Sequence, residues 1–518
     1  MAPRWTPLLF CLPLLCACGK TVHETEPNDH FTKAQKVPLG TSLIIGGLAA
    51  DKDVDVFSLE PVKPVNLSLF VGGVKGADLV LEVQDKDRRP LKRVDETVSG
   101  GDEQVFDVTL EAGAPSYIVL AEKLGKALDR KQTYRMKVRL DSPEGREHEP
   151  DDKALQATPL RPGALLRGHY HPARNLLADD TGYFEEDWFS LECSQEGLFS
   201  LNADISEVPG IDPVLEVYDA NGYKVKEIDD KGVGEPESLR HFGVKAPARF
   251  LLRLRSKVPS ANAQVAYEIL TELVPYLGRT ELEPNDQRLD ANPLLQDSLE
   301  GTLSPAGDAD WFKVSVAEDQ KTLLKAELSP VPGMDIVLSL RDDIGGELAL
   351  VDNMGKEQPE VLTGFGLRKG DTYLVVTEKT GKKADPKAAY TLSKTVVPWQ
   401  AGMEFEPNDS TATVQAMKVG ETMDGHIAPR GDADLFEFNV YTPGEVVVEA
   451  AGLLNVRLQA ALFDQDGKSL GQAGSKKPGE PVSLSKPLQP GTYQVELRAA
   501  AASEVNTRDK YTLRIRAR

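Results

Sequence analysis

Apolar residues in this chain recur with the two-residue period of extended backbone. Segments 65–71, 79–83, 214–218, 336–340 and 446–450 are short runs of Val, Leu and Ile, often alternating with polar residues, so one face of each turns towards a core. Turn signals cut the runs at matching places. Asn221-Gly222, Gly345-Gly346 and Asp466-Gly467 follow them, and Gly113, Gly370 and Gly491 stand just before the segments carrying Tyr117, Tyr373 and Tyr493. A Tyr-led run closes each stretch, at Tyr134, Tyr267, Tyr390 and Tyr511. Sustained helical periodicity is scarce. Many short strands at this spacing predict an all-β chain of antiparallel β-sandwiches.

The pattern repeats. A Glu-x-Glu-Pro-Asx-Asp run starts at Glu24, Glu147, Glu281 and Glu404, and each is followed by an acidic-x-Asp-x-Phe run ending at Phe57, Phe189, Phe312 and Phe436. Spacings of 123, 134 and 123 residues are the size of whole domains. The longer spacing traces to an insertion near residues 169–185, because nine residues separate Gly46 from Asp55 whereas nineteen separate Gly168 from Asp187. The predicted organisation is four tandem sandwiches over residues 23–143, 144–275, 276–399 and 400–518.

Residues 1–17 read as a secretory signal, with Arg4 ahead of an apolar stretch too short to span a bilayer. Leu15-Cys16-Ala17-Cys18-Gly19 resembles the lipobox of bacterial lipoproteins, which implies cleavage before Cys18, a fatty acyl (palmitate) anchor on it, and residues 18–22 as a short tether. Gly19 and Lys20 match no inner-membrane retention signal, so the expected address is the outer membrane of a bacterial envelope. With Cys11 and Cys16 removed and Cys18 acylated, Cys193 alone remains, and no intrachain disulfide is available. The net charge of −21 argues against nucleic acid as a partner and suits divalent cations.

The Glu-x-Glu-Pro-Asn-Asp run, the later Gly, the Asp-x-Asp-Trp/Phe-Phe strand and the closing Tyr strands together resemble the bacterial pre-peptidase C-terminal domain, a family that includes collagen-binding modules of secreted collagenases. The resemblance spans residues 23–518. It implies a jelly-roll-like sandwich with calcium at its amino-terminal edge, three or four ions in this chain. The implied ligands are Glu24, Glu26, Asn28, Asp29, Asp53 and Asp55 in the first repeat, and Glu281, Glu283, Asn285, Asp286, Asp308 and Asp310 in the third. In the fourth they are Glu404, Glu406, Asn408, Asp409, Asp432 and Asp434. The second repeat departs from the pattern, with Asp151 in place of Asn and Glu185 in place of the first Asp, giving Glu147, Glu149, Asp151, Asp152, Glu185 and Asp187. Chemistry supports the reading. Alternate residues of extended backbone share a face, so five carboxylates and an amide converge, and such a cluster repels itself unless a cation that accepts six to eight oxygens lies among it.

The insertion in the second repeat is the candidate binding loop, with His169, His171, Arg174, Asp179, Asp180 and Tyr183 as its polar residues. His169-x-His171 reads either as a transition-metal pair on one strand face or, with no third histidine close in sequence, as surface polarity at a strand end. Trp188 and Trp311 read as packing at the sandwich edge, and His23, His148 and His426 as solvated neighbours of the acidic motif. No zinc-protease, serine-hydrolase or phosphate-loop motif is present, so the chain is not expected to be an enzyme. The expected function is a lipid-anchored, calcium-binding array of modules that binds protein or polysaccharide. An accessory subunit of an envelope complex and a hydrolase with an unrecognised site are the alternatives.

Overall fold

The structure is a computed structural model that describes residues 19–95, 97–171, 186–317 and 320–517. Cys18, Arg174, Asp179, Asp180, Tyr183 and Glu185 lie outside the described residues. Apart from two single 3₁₀ turns at Phe31–Lys33 and Ala154–Gln156, every regular element among the described residues is a strand, so the all-β expectation holds.

The first repeat forms two five-stranded sheets. One has the order Lys20–His23, Thr41–Gly46, Tyr134–Asp141, Val65–Val71, Glu103–Leu110, and the other Gln35–Lys36, Val54–Leu59, Ser116–Glu122, Leu79–Gln84, Pro90–Val94. Burial alternates along Ser116–Glu122 residue by residue, as a sheet with one covered face requires. A single apolar cluster draws Leu67 and Leu69 from the first sheet and Phe57, Leu81 and Ile118 from the second. Phe57, fully buried, sits opposite Ile118 and fixes the strand that carries Asp53 and Asp55 at its start. A one-residue slip there would turn the Phe to the other face. The third and fourth repeats reproduce this order with one five-stranded and one four-stranded sheet each, and Phe312 and Phe436 take the same buried place.

The second repeat is built differently. Glu186–Ile205 and Glu237–Ser256 each run twenty residues without a break, where the other repeats use two shorter strands. Its strands therefore join in one seven-stranded sheet.

Four separate domains were expected, and the chain divides instead into two compact units, one ending at Pro275 and the other running from Tyr276 with His241–Gly243 added to it. The reason lies in the backbone. In the first unit Glu149 bridges Val108 in parallel, with Thr109 N–H donating to the Glu149 carbonyl at 2.9 Å. Within the second unit Glu406 bridges Phe365, and Gly366 N–H donates to the Glu406 carbonyl at 2.8 Å. The acidic motif that opens one repeat is thus hydrogen-bonded to the sheet edge of the repeat before it. In that respect each unit is closer to successive tiers of a β-solenoid than to two free-standing sandwiches.

Candidate metal centres

Each acidic motif is held by backbone at both ends. Its first Glu donates its N–H to the residue just before the recurring Gly: Glu24 to the Ile45 carbonyl, Glu147 to Arg167, Glu281 to Glu300 and Glu404 to Asp424, all at 2.9 Å. Its Asx carbonyl accepts from the residue just after the second strand Asp: Asn28 from Val56 at 3.2 Å, Asp151 from Trp188 at 3.0 Å, Asn285 from Trp311 at 3.1 Å and Asn408 from Leu435 at 3.2 Å. Between these anchors the four Glu-Pro bonds, Glu26-Pro27 to Glu406-Pro407, are all cis. Two stretches about thirty residues apart in sequence are therefore laid side by side, as the sequence reading required.

The side chains then meet. In the first repeat Glu24, Glu26 and Asp55 each offer an oxygen within 4.8 Å of the others, and Glu26, Asp29 and Asp53 form a second such group. Glu281, Glu283 and Asp310, with Glu283, Asp286 and Asp308, repeat the arrangement in the third repeat. Asn285 N–H donates to Glu283 Oε2 at 3.1 Å and Ser304 N–H to Asp308 Oδ2 at 2.6 Å. In the fourth repeat Asn408 N–H donates to Glu406 Oε2 at 2.8 Å, Ala428 N–H to Asp432 Oδ2 at 2.7 Å and Ala433 N–H to Asp409 Oδ1 at 3.4 Å. Glu26, Asp29, Asp286 and Asp409 reach solvent, whereas Asn28, Asp55, Asn285, Asp310, Asn408 and Asp434 are fully buried.

Backbone donors do not satisfy every oxygen. Glu24 Oε1, Asp55 Oδ2, Asn285 Oδ1, Asp310 Oδ1, Glu406 Oε1 and Asn408 Oδ1 are buried without a hydrogen bond, a costly state for acceptors in a low-dielectric interior. Burial, together with the neighbouring Glu281 and Asp308 carboxylates, pushes Asp310 up to about 10. Burial with Glu24 beside it raises Asp55 to about 9, and burial followed by Asp432 and Glu404 drives Asp434 well above the carboxylate range. A divalent cation accepting hard oxygen ligands relieves both the unpaired oxygens and the mutual repulsion.

A tyrosine and a glycine adjoin each cluster, and in the last three repeats the tyrosine is hydrogen-bonded to it, whereas Tyr134 Oη of the first repeat is buried without a partner. Tyr390 Oη donates to Asp310 Oδ2 at 2.6 Å and lies 3.1 Å from Glu281 Oε2, Tyr511 Oη donates to Glu404 Oε1 at 2.7 Å, and Tyr267 Oη lies 2.8 Å from Glu147 Oε2 and 2.6 Å from Asp187 Oδ2. These tyrosines were legible only as strand markers; their fourfold recurrence was the signal. The glycine ahead of the acidic strand leaves the space they use. A Cβ at Gly301 would lie 2.4 Å from both Glu281 Oε2 and Tyr390 Oη, and Gly46, Gly168 and Gly425 are as tightly placed. Gly301→Ala is expected to destabilise the second unit by about 1–3 kcal/mol through overpacking. A urea melt with an unmoved midpoint would show that the cradle has slack.

The second repeat brings its residues together on different terms. Glu147, Glu149, Asp151 and Asp187 are buried, but Lys92 Nζ from the first repeat sits 2.6 Å from Glu149 Oε1 and Thr158 Oγ1 donates to Asp151 Oδ2 at 2.6 Å. Asp152 stands half-buried beside them. His169 and His171 are not surface polarity: both are buried, and each has a ring nitrogen within 4.8 Å of Glu147. The reading of His426 as solvated is likewise corrected, since it is half-buried and burial, then the Lys510 and Lys325 charges, lower it to about 4. Trp188 packs against Tyr218 at 5.0 Å and Trp311 against Tyr373 at 5.9 Å, each under an Arg guanidinium, which is edge packing as expected.

No family model matches the chain, and no curated protein matches it. Among solved structures it shows weak similarity to the pre-peptidase C-terminal domain of a collagenase from Bacillus anthracis, at 13% identity over 20% of this chain and 94% of that one, with a TM-score of 0.17. A putative secreted protein from Eubacterium rectale matches at 10% identity over 48% of this chain and 81% of that chain, with a TM-score of 0.16. The BSP domain of a biofilm-associated protein matches at 10% identity over 91% and 96% respectively, with a TM-score of 0.14. At these scores the similarities carry no argument about function.

Proposed function

We propose that this chain is a calcium-stiffened array of β-sandwich modules of the pre-peptidase C-terminal type, anchored through Cys18 to a bacterial envelope, where it binds protein or polysaccharide. The observation that carries the reading is the convergence, in the first and third repeats, of all-oxygen ligand sets whose innermost acceptors are buried and unpaired, matched in the fourth by the buried, unpaired oxygens of Glu406, Asn408 and Asp434. Oxygen-only donors with several carboxylates suit Ca²⁺ over softer metals. Glu24, Glu26, Asp53 and Asp55 would hold the ion in the first repeat, Glu281, Glu283, Asp308 and Asp310 in the third, and Glu404, Glu406, Asp432 and Asp434 in the fourth. Because Glu406 is also hydrogen-bonded to the preceding repeat, an ion there would brace the junction within that unit. An extracellular setting supplies calcium at the concentrations such modules use.

Titration calorimetry of the chain from residue 19 with Ca²⁺ is expected to give three ions. A count of zero would overturn the calcium reading and leave the repeats as plain sandwiches.

A further inference from the structure

The second repeat carries a site of another kind. Glu147, His169 and His171 are all buried, and one ligand atom from each lies within 4.8 Å of the other two. His171 is 1% exposed, and its Nε2 has no hydrogen bond although Glu149 Oε1 lies 3.5 Å and Glu147 Oε1 3.7 Å away. His169 Nδ1 lies 3.0 Å from Asp107 Oδ2 and 3.8 Å from Glu147 Oε1, and neither it nor Asp107 Oδ2 is placed to make a hydrogen bond. His169 Nδ1, His171 Nε2 and Asp107 Oδ2 are thus buried side by side without the hydrogen bonds that would explain their burial.

We propose that Glu147, His169 and His171 hold a divalent transition metal, zinc foremost, with Asp107, 3.0 Å from His169, as the fourth ligand of a tetrahedral site. Four ligands about 2 Å from one ion stand about 3.3 Å apart, and the Asp107–His169, His171–Glu147 and His169–Glu147 separations of 3.0, 3.7 and 3.8 Å bracket that value. Two imidazoles among the ligands select such a metal over calcium, which takes oxygen.

The surroundings are arranged to orient these groups. Arg146 Nη1 holds Asp107 Oδ1 at 3.2 Å, which leaves Oδ2 directed at His169. Glu147 is fixed by the His169 N–H at 2.9 Å on Oε1 and by Tyr267 on Oε2. Such outer partners set ligand geometry in metal sites. Phe106 stacks on His169 with centroids 4.6 Å apart and tilts against His171, laying an apolar ring against both imidazoles. Asp107 comes from the first repeat and sits at φ 51°, where Glu103–Leu110 bulges against Val65–Val71, so its carboxylate is aimed out of the register of its own strand. The ion would therefore join two repeats of one unit. It also accounts for the second repeat's departure from the acidic motif: its first Glu serves imidazoles instead of a calcium cluster.

Cobalt(II) is the probe. Added to the apo chain it is expected to bind one ion per chain, giving the intense visible absorption of tetrahedral cobalt with nitrogen ligands, unaffected by excess Ca²⁺ and displaced by Zn²⁺. The His171→Asn variant is expected to lose that absorption while retaining the wild-type β-sheet circular dichroism and thermal transition, which shows that it folds. Should that variant fail to fold, X-ray absorption of the cobalt-loaded wild-type chain decides the question, since two imidazole ligands are expected. A cobalt spectrum of octahedral, oxygen-only type, or one unchanged in His171→Asn, overturns the proposal. The calcium count is read separately, so this site and the calcium centres fail independently.

Discussion

In calcium-free buffer the chain is expected to lose stability steadily as pH rises from about 7 to about 9, and saturating calcium is expected to reduce that loss, leaving the part set by Glu147, Asp151 and Asp187 of the second repeat. The sign follows from proton binding. Asp310, raised by burial and then by Glu281 and Asp308 from 3.8 to about 10, and Asp55, raised by burial and by Glu24 to about 9, keep their protons in the folded chain where the unfolded chain has lost them. The folded state then binds more protons, and stability falls with pH. Glu406 and Asp432, raised well above their ordinary values by burial and then by their carboxylate neighbours, act in the same direction.

Two kinds of group oppose them, but only at lower pH. Burial, with Lys92 nearby, lowers His171 from 6.5 to about 3, so its contribution rises with pH and is complete above about 6.5. Burial raises Glu216, but the Tyr218 and Arg253 hydrogen bonds outweigh it and hold the group at about 2, so its contribution is complete above 4.5. Above neutrality the acidic clusters act alone. A bound cation favours the ionised carboxylates and removes the proton difference. Thermal melts across this range in chelator and in calcium make the comparison, and an apo melting temperature that climbs between pH 7 and 9 would sink it.

Local pattern announced the strands and the convergence of acidic residues, and neighbours distant in sequence decided what it missed. Phe57, Phe312 and Phe436 follow their Asp by two residues, so strand alternation alone puts carboxylate and ring on the same, buried face. Register therefore made the carboxylate cluster legible. His169 and His171 could not be placed this way. Their burial depends on Phe106 and Asp107 in the preceding repeat, and Lys92 reaches Glu149 from the same direction. Nothing in residues 144–275 signals either contact. Grouping into two units escaped for a related reason: the bridges Val108 to Glu149 and Phe365 to Glu406 are backbone contacts, which any side chain permits.

Asp310→Asn is expected to reverse sign with the solution: melting higher than wild type in chelator and lower than wild type in calcium. Asp310 is fully buried, shares its group with Glu281 and Glu283, and has one oxygen without a partner. The amide is neutral at any pH, so the metal-free fold no longer has to take up a proton at this buried position, which the unfolded chain has lost, while the amide oxygen still accepts from Tyr390, which now holds Asp310 Oδ2 at 2.6 Å. In calcium the balance inverts, because a ligand at a hundred times its dissociation constant stabilises the wild-type fold by about 2.7 kcal/mol, and the variant forgoes that at its third repeat. Calorimetry should then count one ion fewer. A destabilised variant in both solutions would mean that Asp310 serves the packing of the Tyr390 strand and not a cation. Asp55→Asn in the other unit repeats the experiment independently, since Asp55 occupies the same strand position against Glu24 and Glu26.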